Sequence, residues 1–131
     1  MNLGITSFSL MYVALGGALG AVSRFITSRF MNQFFGVIPM GTLIVNVLGS
    51  FLLGFIMFAV LLGKNISPDF QNFFAVGFIG ALTTMSTFAY ESVRFGHLNE
   101  WSYFFLNMGA NIILSLGAVA CGGYIATLLY S

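Results

Sequence analysis

The sequence predicts an all-α integral membrane protein, one domain of four transmembrane helices over residues 1–131. Two observations carry that class. Of the 131 residues, 59% are hydrophobic and 5% charged, whereas a soluble domain carries about 25% charged residues. So little charge cannot cover a water-facing surface. The apolar residues also gather into four runs, about Ser9 to Phe30, Gly41 to Leu62, Phe70 to Arg94 and Trp101 to Leu129. Each is near the roughly 20 residues that a helix needs to cross the hydrocarbon.

The first run has no Lys or Arg ahead of it. A secretory signal peptide needs that basic start, so this run is expected to stay as a retained helix. Gly16, Gly20 and Ala21 offer it a close-packing face. Arg24 lies inside it, where an arginine at helix centre costs roughly 2.5–3.5 kcal/mol on insertion scales. It either snorkels toward the interface or points into a water-filled vestibule that attracts anions.

Phe35 to Pro39 leads to the second run, where Asn46 stands alone. An amide at that depth must find partners, as interhelical glue or as pore lining. Gly49 and Gly54 are its small residues. Ser67-Pro68-Asp69 then suits a helix start.

The third run contains Gly80-Ala81-Leu82-Thr83-Thr84-Met85-Ser86-Thr87-Phe88. Glycine, β-branched threonine and serine make poor continuous helix. Two forms compete. In one the helix continues, with hydroxyls bonded back to its own turn. In the other it breaks at membrane depth, and a break there marks a functional site because freed backbone groups must be satisfied. Met85 and Phe88 share a helical face, which on its own reads as core packing. Aromatic ring edges nevertheless carry partial positive charge and can face an anion. Glu91 falls near an interface, as a vestibule or surface carboxylate.

The fourth run carries Tyr103, Asn107, Asn111 and Ser115 at spacings of four, hence on one face. That stripe is either a seam tying helices together or a path for a small hydrated ion, and its length and lack of charge favour the path. Gly109 and Gly117 are small residues for packing within or between subunits. Trp101 suits an interfacial belt. Cys121 reads as a small packing residue.

A net charge of +1 gives no surface for nucleic acid. One His, one Cys and three acidic residues supply no metal cluster and no nucleophile–base pair, so an enzyme is not expected. Arg29 and Arg94 fall on one side of the membrane and Lys64 on the other. That bias is weak, compatible with insertion in both orientations or in one. Four helices make a bundle too thin to enclose a polar path alone.

Three motifs in order resemble the Fluc-type fluoride channels, also called the camphor-resistance CrcB family. They are Gly-Ala-Val-Ser-Arg at 20–24, Gly-Thr-Leu-Ile-Val-Asn at 41–46, and Gly-Ala-Leu-Thr-Thr-Met-Ser-Thr-Phe-Ala-Tyr-Glu at 80–91. The resemblance implies a passive channel that exports fluoride across the cell (plasma or inner) membrane. It implies an antiparallel dual-topology homodimer of this chain in membrane lipid, with a broken third helix. It further implies a structural sodium ion at the dimer centre, held by backbone carbonyls of Gly80 and Thr83 from each subunit. The implied fluoride pore involves Asn46, Met85, Ser86, Thr87, Phe88, Asn107, Asn111 and Ser115, with Arg24 and Glu91 in a vestibule. The chain departs from the family pattern at Met85, where a phenylalanine is usual, at Ala81 and Ala89, and in having amides on the fourth helix.

Two other readings compete. Small multidrug-type proton-coupled exporters also have four helices, but carry a first-helix glutamate, and this chain has no acidic residue before Asp69. The other is a structural membrane subunit that only assembles with partners.

Overall fold

A computed structural model describes residues 5–130, and the described residues are helical in every element. The helices are α1 (Ser7–Phe35), α2 (Met40–Leu61), α3 (residues 68–82), α4 (Met85–His97) and α5 (Trp101–Tyr130). Helices α3 and α4 are the two halves of one span, Pro68–His97, so four spans are long and apolar enough to cross a membrane. The protein is a multi-pass membrane protein. The first and third spans run several residues beyond the apolar runs that announced them, in the first because polar and aromatic residues such as Asn32, Gln33 and Phe34 continue the helix toward the headgroups.

Local chemistry sets the helix ends. Thr6 and Ser9 form a reciprocal capping box, with Ser9 N–H donating to Thr6 Oγ1 at 3.1 Å and Thr6 N–H to Ser9 Oγ at 2.9 Å. The chain leaves α1 through Gly36 at φ 59°, a conformation glycine adopts at little cost. Pro39 has no side chain to cap α2. Asn32 of α1 supplies the cap instead, its Oδ1 accepting from Gly41 N–H at 3.1 Å. Ser67 caps α3 by accepting from Phe70 N–H at 3.2 Å, with Pro68 in the first turn.

Close backbone contact is most extensive in two pairs, α1 on α3 and α2 on α5, with a further approach of α2 to α1 at Gly41 and Ser28. A Cβ at Gly16 or Gly20 would overlap the carbonyl oxygens of Phe73 and Phe78, and one at Gly54 or Gly122 those of Val119 and Phe51. Within α3, Gln71–Ile79 is wound wider than an α-helix, as a π-helix with bonds to the fifth residue back. Its Gly77 lies against α1, where an added Cβ would stand 2.7 Å from the Val13 carbonyl oxygen. Gly109 and Gly117 behave differently from the small residues at those contacts: among the described residues, nothing outside the local helix backbone lies within 4 Å of a Cβ built there. Cys121 is likewise exposed on α5 rather than packed inside. Large apolar side chains such as Phe8, Leu15, Phe105 and Ile113 cover the outside, as lipid contact requires.

Candidate functional site

The third span breaks at Thr83–Thr84, where Thr83 takes ψ 155° and Thr84 takes φ −151°, ψ 113°. A continuous helix would aim Thr84 N–H at the Gly80 carbonyl and Thr87 N–H at the Thr83 carbonyl. Here Thr84 N–H donates to Asn46 Oδ1 at 2.8 Å, and Thr87 N–H to Thr84 Oγ1 at 3.2 Å. Side chains have taken both donors, so both carbonyls lose their helical partners. Asn46 Nδ2 also donates to the Thr84 carbonyl at 3.2 Å. One amide thus satisfies both backbone groups of Thr84, and Thr84 in turn caps α4. The continuous-helix form survives only in the turn before, where Thr83 Oγ1 donates back to the Ile79 carbonyl at 3.1 Å.

The orientation of the Asn46 amide follows from its partners. Thr84 N–H can only donate, so the atom facing it is Oδ1, and Nδ2 is left to donate. A directed ladder results. Asn46 Nδ2 donates to Asn111 Oδ1 at 3.0 Å, Asn111 Nδ2 to Asn107 Oδ1 at 3.0 Å, and Asn107 Nδ2 to Ser92 Oγ at 2.9 Å. Of the fourth-span stripe, Asn107 and Asn111 are buried in this ladder, Ser115 is half-buried and Tyr103 is exposed. In this arrangement both Asn46 amide protons are engaged inside the protein.

Two concavities meet at the break. A cleft of about 450 Å³ is lined by Asn46, Met85, Phe88, Asn111 and Ser115, together with Gly80 and Thr83. Phe88 forms wall there at 4% exposure, while Met85, at 73%, sits at the rim. On the other side a polar recess of about 440 Å³ is lined by Arg24, Thr42, Thr87 and Glu91. Thr84 lines both. Arg24 turns inward, its Nη1 donating to the Thr83 carbonyl at 3.4 Å. Glu91 Oε1 accepts from Thr42 Oγ1 at 2.7 Å, and its Oε2 is buried with no partner among the described residues.

The sequence-derived pore set is therefore split. Asn46, Met85, Phe88, Asn111 and Ser115 share the cleft, and Thr87 joins Arg24 and Glu91 in the recess. Ser86 lies 3.2 Å from Thr84 Oγ1, hydroxyl to hydroxyl. Asn107 lies further along the ladder. Sequence reasoning missed Thr42, Thr84 and Ser92. Thr84 had a signal, because a Thr-Thr pair at a break offers a cap. Thr42 stands in the Gly-Thr-Leu-Ile-Val-Asn motif but with no role attached to its hydroxyl, and Ser92 had no signal beyond being a hydroxyl in an apolar run.

The released carbonyls suit a cation. Unwound backbone oxygens at membrane depth are a recurrent sodium donor set. The Thr83 oxygen has two lone pairs, so the Arg24 bond leaves one for another partner.

A family model described as CrcB-like protein, Camphor Resistance (CrcB), matches residues 11–123. The chain belongs to this family. Among CrcB relatives, the fluoride-specific ion channel FluC of Methanopyrus kandleri is 44% identical over 122 residues, 93% of this chain and 92% of the relative. That of Shewanella oneidensis is 46% identical over 115 residues, 87% and 92% of the two chains. That of Thermosipho africanus is 57% identical over 83 residues, 62% of this chain and 66% of its own length. The CrcB match spans the cleft, the recess and the break together.

Proposed function

We propose that the protein is a fluoride-selective channel, not an enzyme, which lets toxic fluoride leave the cytoplasm passively across the cell membrane. One observation carries the reading: the helix break opens on a largely apolar cleft whose polar lining is all uncharged, including the Asn46 and Asn111 amides and the Thr84 and Ser115 hydroxyls beside the Phe88 ring, in a chain whose CrcB relatives are named fluoride-specific ion channels. Fluoride is small and strongly hydrated. A pore for it must replace water with many neutral donors and still let the ion go. Asn, Ser, Thr and ring edges do that, and a buried lysine would hold the anion too firmly. Arg24 in the recess raises the local anion concentration without standing in the cleft.

The working unit in this reading is an antiparallel homodimer inserted in both orientations. The weak Lys/Arg bias supports it, as does the one-sided cleft, which four helices do not close. A sodium ion shared by the two copies would be held by the Gly80 and Thr83 carbonyls of each. When bound, it supplies a positive charge that satisfies oxygens the break has released.

The test is efflux from liposomes that contain the purified protein alone, loaded with potassium fluoride or potassium chloride and made permeable to potassium. Fluoride is to leave quickly and chloride to stay. No fluoride loss, or equal loss of chloride, would remove the proposal.

A further inference from the structure

The cap residue Thr84 and two residues of α4, Phe88 and Ser92, follow at spacings of four and are all buried, at 6%, 4% and 2% exposure. The two outer ones are the points where the amide ladder of α2 and α5 attaches. At one end Asn46 clamps the backbone of Thr84 at 2.8 Å and 3.2 Å. At the other end Asn107 Nδ2 donates to Ser92 Oγ, and Ser92 Oγ donates to the Phe88 carbonyl, both at 2.9 Å. Asn111 joins the two ends. A serine bonded to the carbonyl four residues back is common in membrane helices and means little alone. This hydroxyl does more, because it also accepts from another helix and passes that bond on to the residue whose ring walls the cleft.

We infer that Ser92 is a positioning residue for ion passage: with Asn107 it forms the second strut that fixes Phe88 in the cleft, opposite the strut at Thr84. The inference rests on the fluoride-channel reading and adds to it a residue outside the motifs that carry the family resemblance. The bonds at Thr84 and at Ser92 bracket two turns of chain, so the backbone that carries the ring cannot shift as a unit without breaking a buried hydrogen bond. Ladder polarity fixes the roles. Asn107 can offer Ser92 only a donor, and Ser92 must then turn its own proton to the Phe88 carbonyl.

The experiment is the unitary fluoride current of single channels in planar bilayers, which does not depend on how much protein folds. Ser92→Ala removes the strut and is to lower the unitary current about tenfold, the scale of one broken buried hydrogen bond. Ser92→Thr keeps the hydroxyl and is to stay within about twofold of wild type. Asn107→Ser shortens the strut with Ser92 in place and is to reproduce the fall. A wild-type unitary current in Ser92→Ala or in Asn107→Ser overturns the inference. An equal fall in Ser92→Ala and Ser92→Thr also overturns it, since the lost hydroxyl is then not the cause. Absence of fluoride current in the wild type would overturn the channel reading and this inference with it, whereas normal current in the wild type and in Ser92→Ala overturns the inference alone.

Discussion

Asn46 is the residue on which the most depends. It holds both backbone groups of Thr84 and donates to Asn111 Oδ1 at 3.0 Å. In Asn46→Asp an oxygen replaces Nδ2 and faces two acceptors, each clash costing about 1–3 kcal/mol. In the proposed channel the carboxylate would also stand beside the anion path, where two like charges about 4 Å apart repel by roughly 4 kcal/mol at an effective dielectric of 20. Fluoride efflux is therefore expected to fall by about three decades, and wild-type efflux from a folded Asn46→Asp protein would place the path elsewhere. Phe88→Ile keeps bulk and removes the positively polarised ring edge, so efflux is to be nearly abolished. Met85→Phe is to be tolerated or to raise efflux, because Met85 sits at the rim, 73% exposed, with room for a ring. A loss of efflux in Met85→Phe would mean that the rim is closed by something other than this side chain.

At the scale of elements, the four spans were legible because apolar run length and short polar breaks are direct consequences of crossing hydrocarbon. The cap at Ser67 was legible for the same local reason. Whether the third span broke was left open by the residues, because threonine hydroxyls serve a continuous and a broken helix equally well. The choice is made by Asn46, 38 residues away in sequence, and no local pattern announces a partner at that distance. The wide winding of Gln71–Ile79 had no signal at all, since it answers to close packing on α1. The glycines give a check on that packing. Gly20→Val would drive a side chain into the Phe78 carbonyl, and overpacking costs about 1–3 kcal/mol. Melting of the detergent-purified protein is to fall clearly in Gly20→Val and hardly at all in Gly109→Ala, whose Cβ would meet no other helix among the described residues. Equal losses would show that Gly109 is packed in the assembled protein.

For the whole molecule, the cleft between α2, α3, α4 and α5 is open in the single chain. Gly80 lies on its wall. A Cβ there would meet only the Ala75 carbonyl oxygen, at 3.8 Å, so a bulky residue fits the single chain. In the proposed dimer, Gly80→Leu should therefore disrupt assembly, while Thr83→Ser, which keeps the backbone oxygen, should not. Size-exclusion profiles would distinguish them, and a normal dimer in Gly80→Leu would argue against a shared cation at these carbonyls. Dual insertion is tested by labelling a single cysteine placed near one terminus, in a Cys121→Ser background. Reagent applied to each side of the membrane is to find about half of the protein, as an antiparallel dimer requires and the weak Lys/Arg bias allows, and labelling from one side alone would exclude the antiparallel arrangement. The central claim is that fluoride itself passes through this protein down its own gradient. The direct measurement is the reversal potential of the purified protein in a planar bilayer with fluoride and chloride gradients set in opposite directions. Reversal at the fluoride equilibrium potential is predicted, and reversal at the chloride potential, or a potential that moves with pH as a proton-coupled exporter requires, would contradict it.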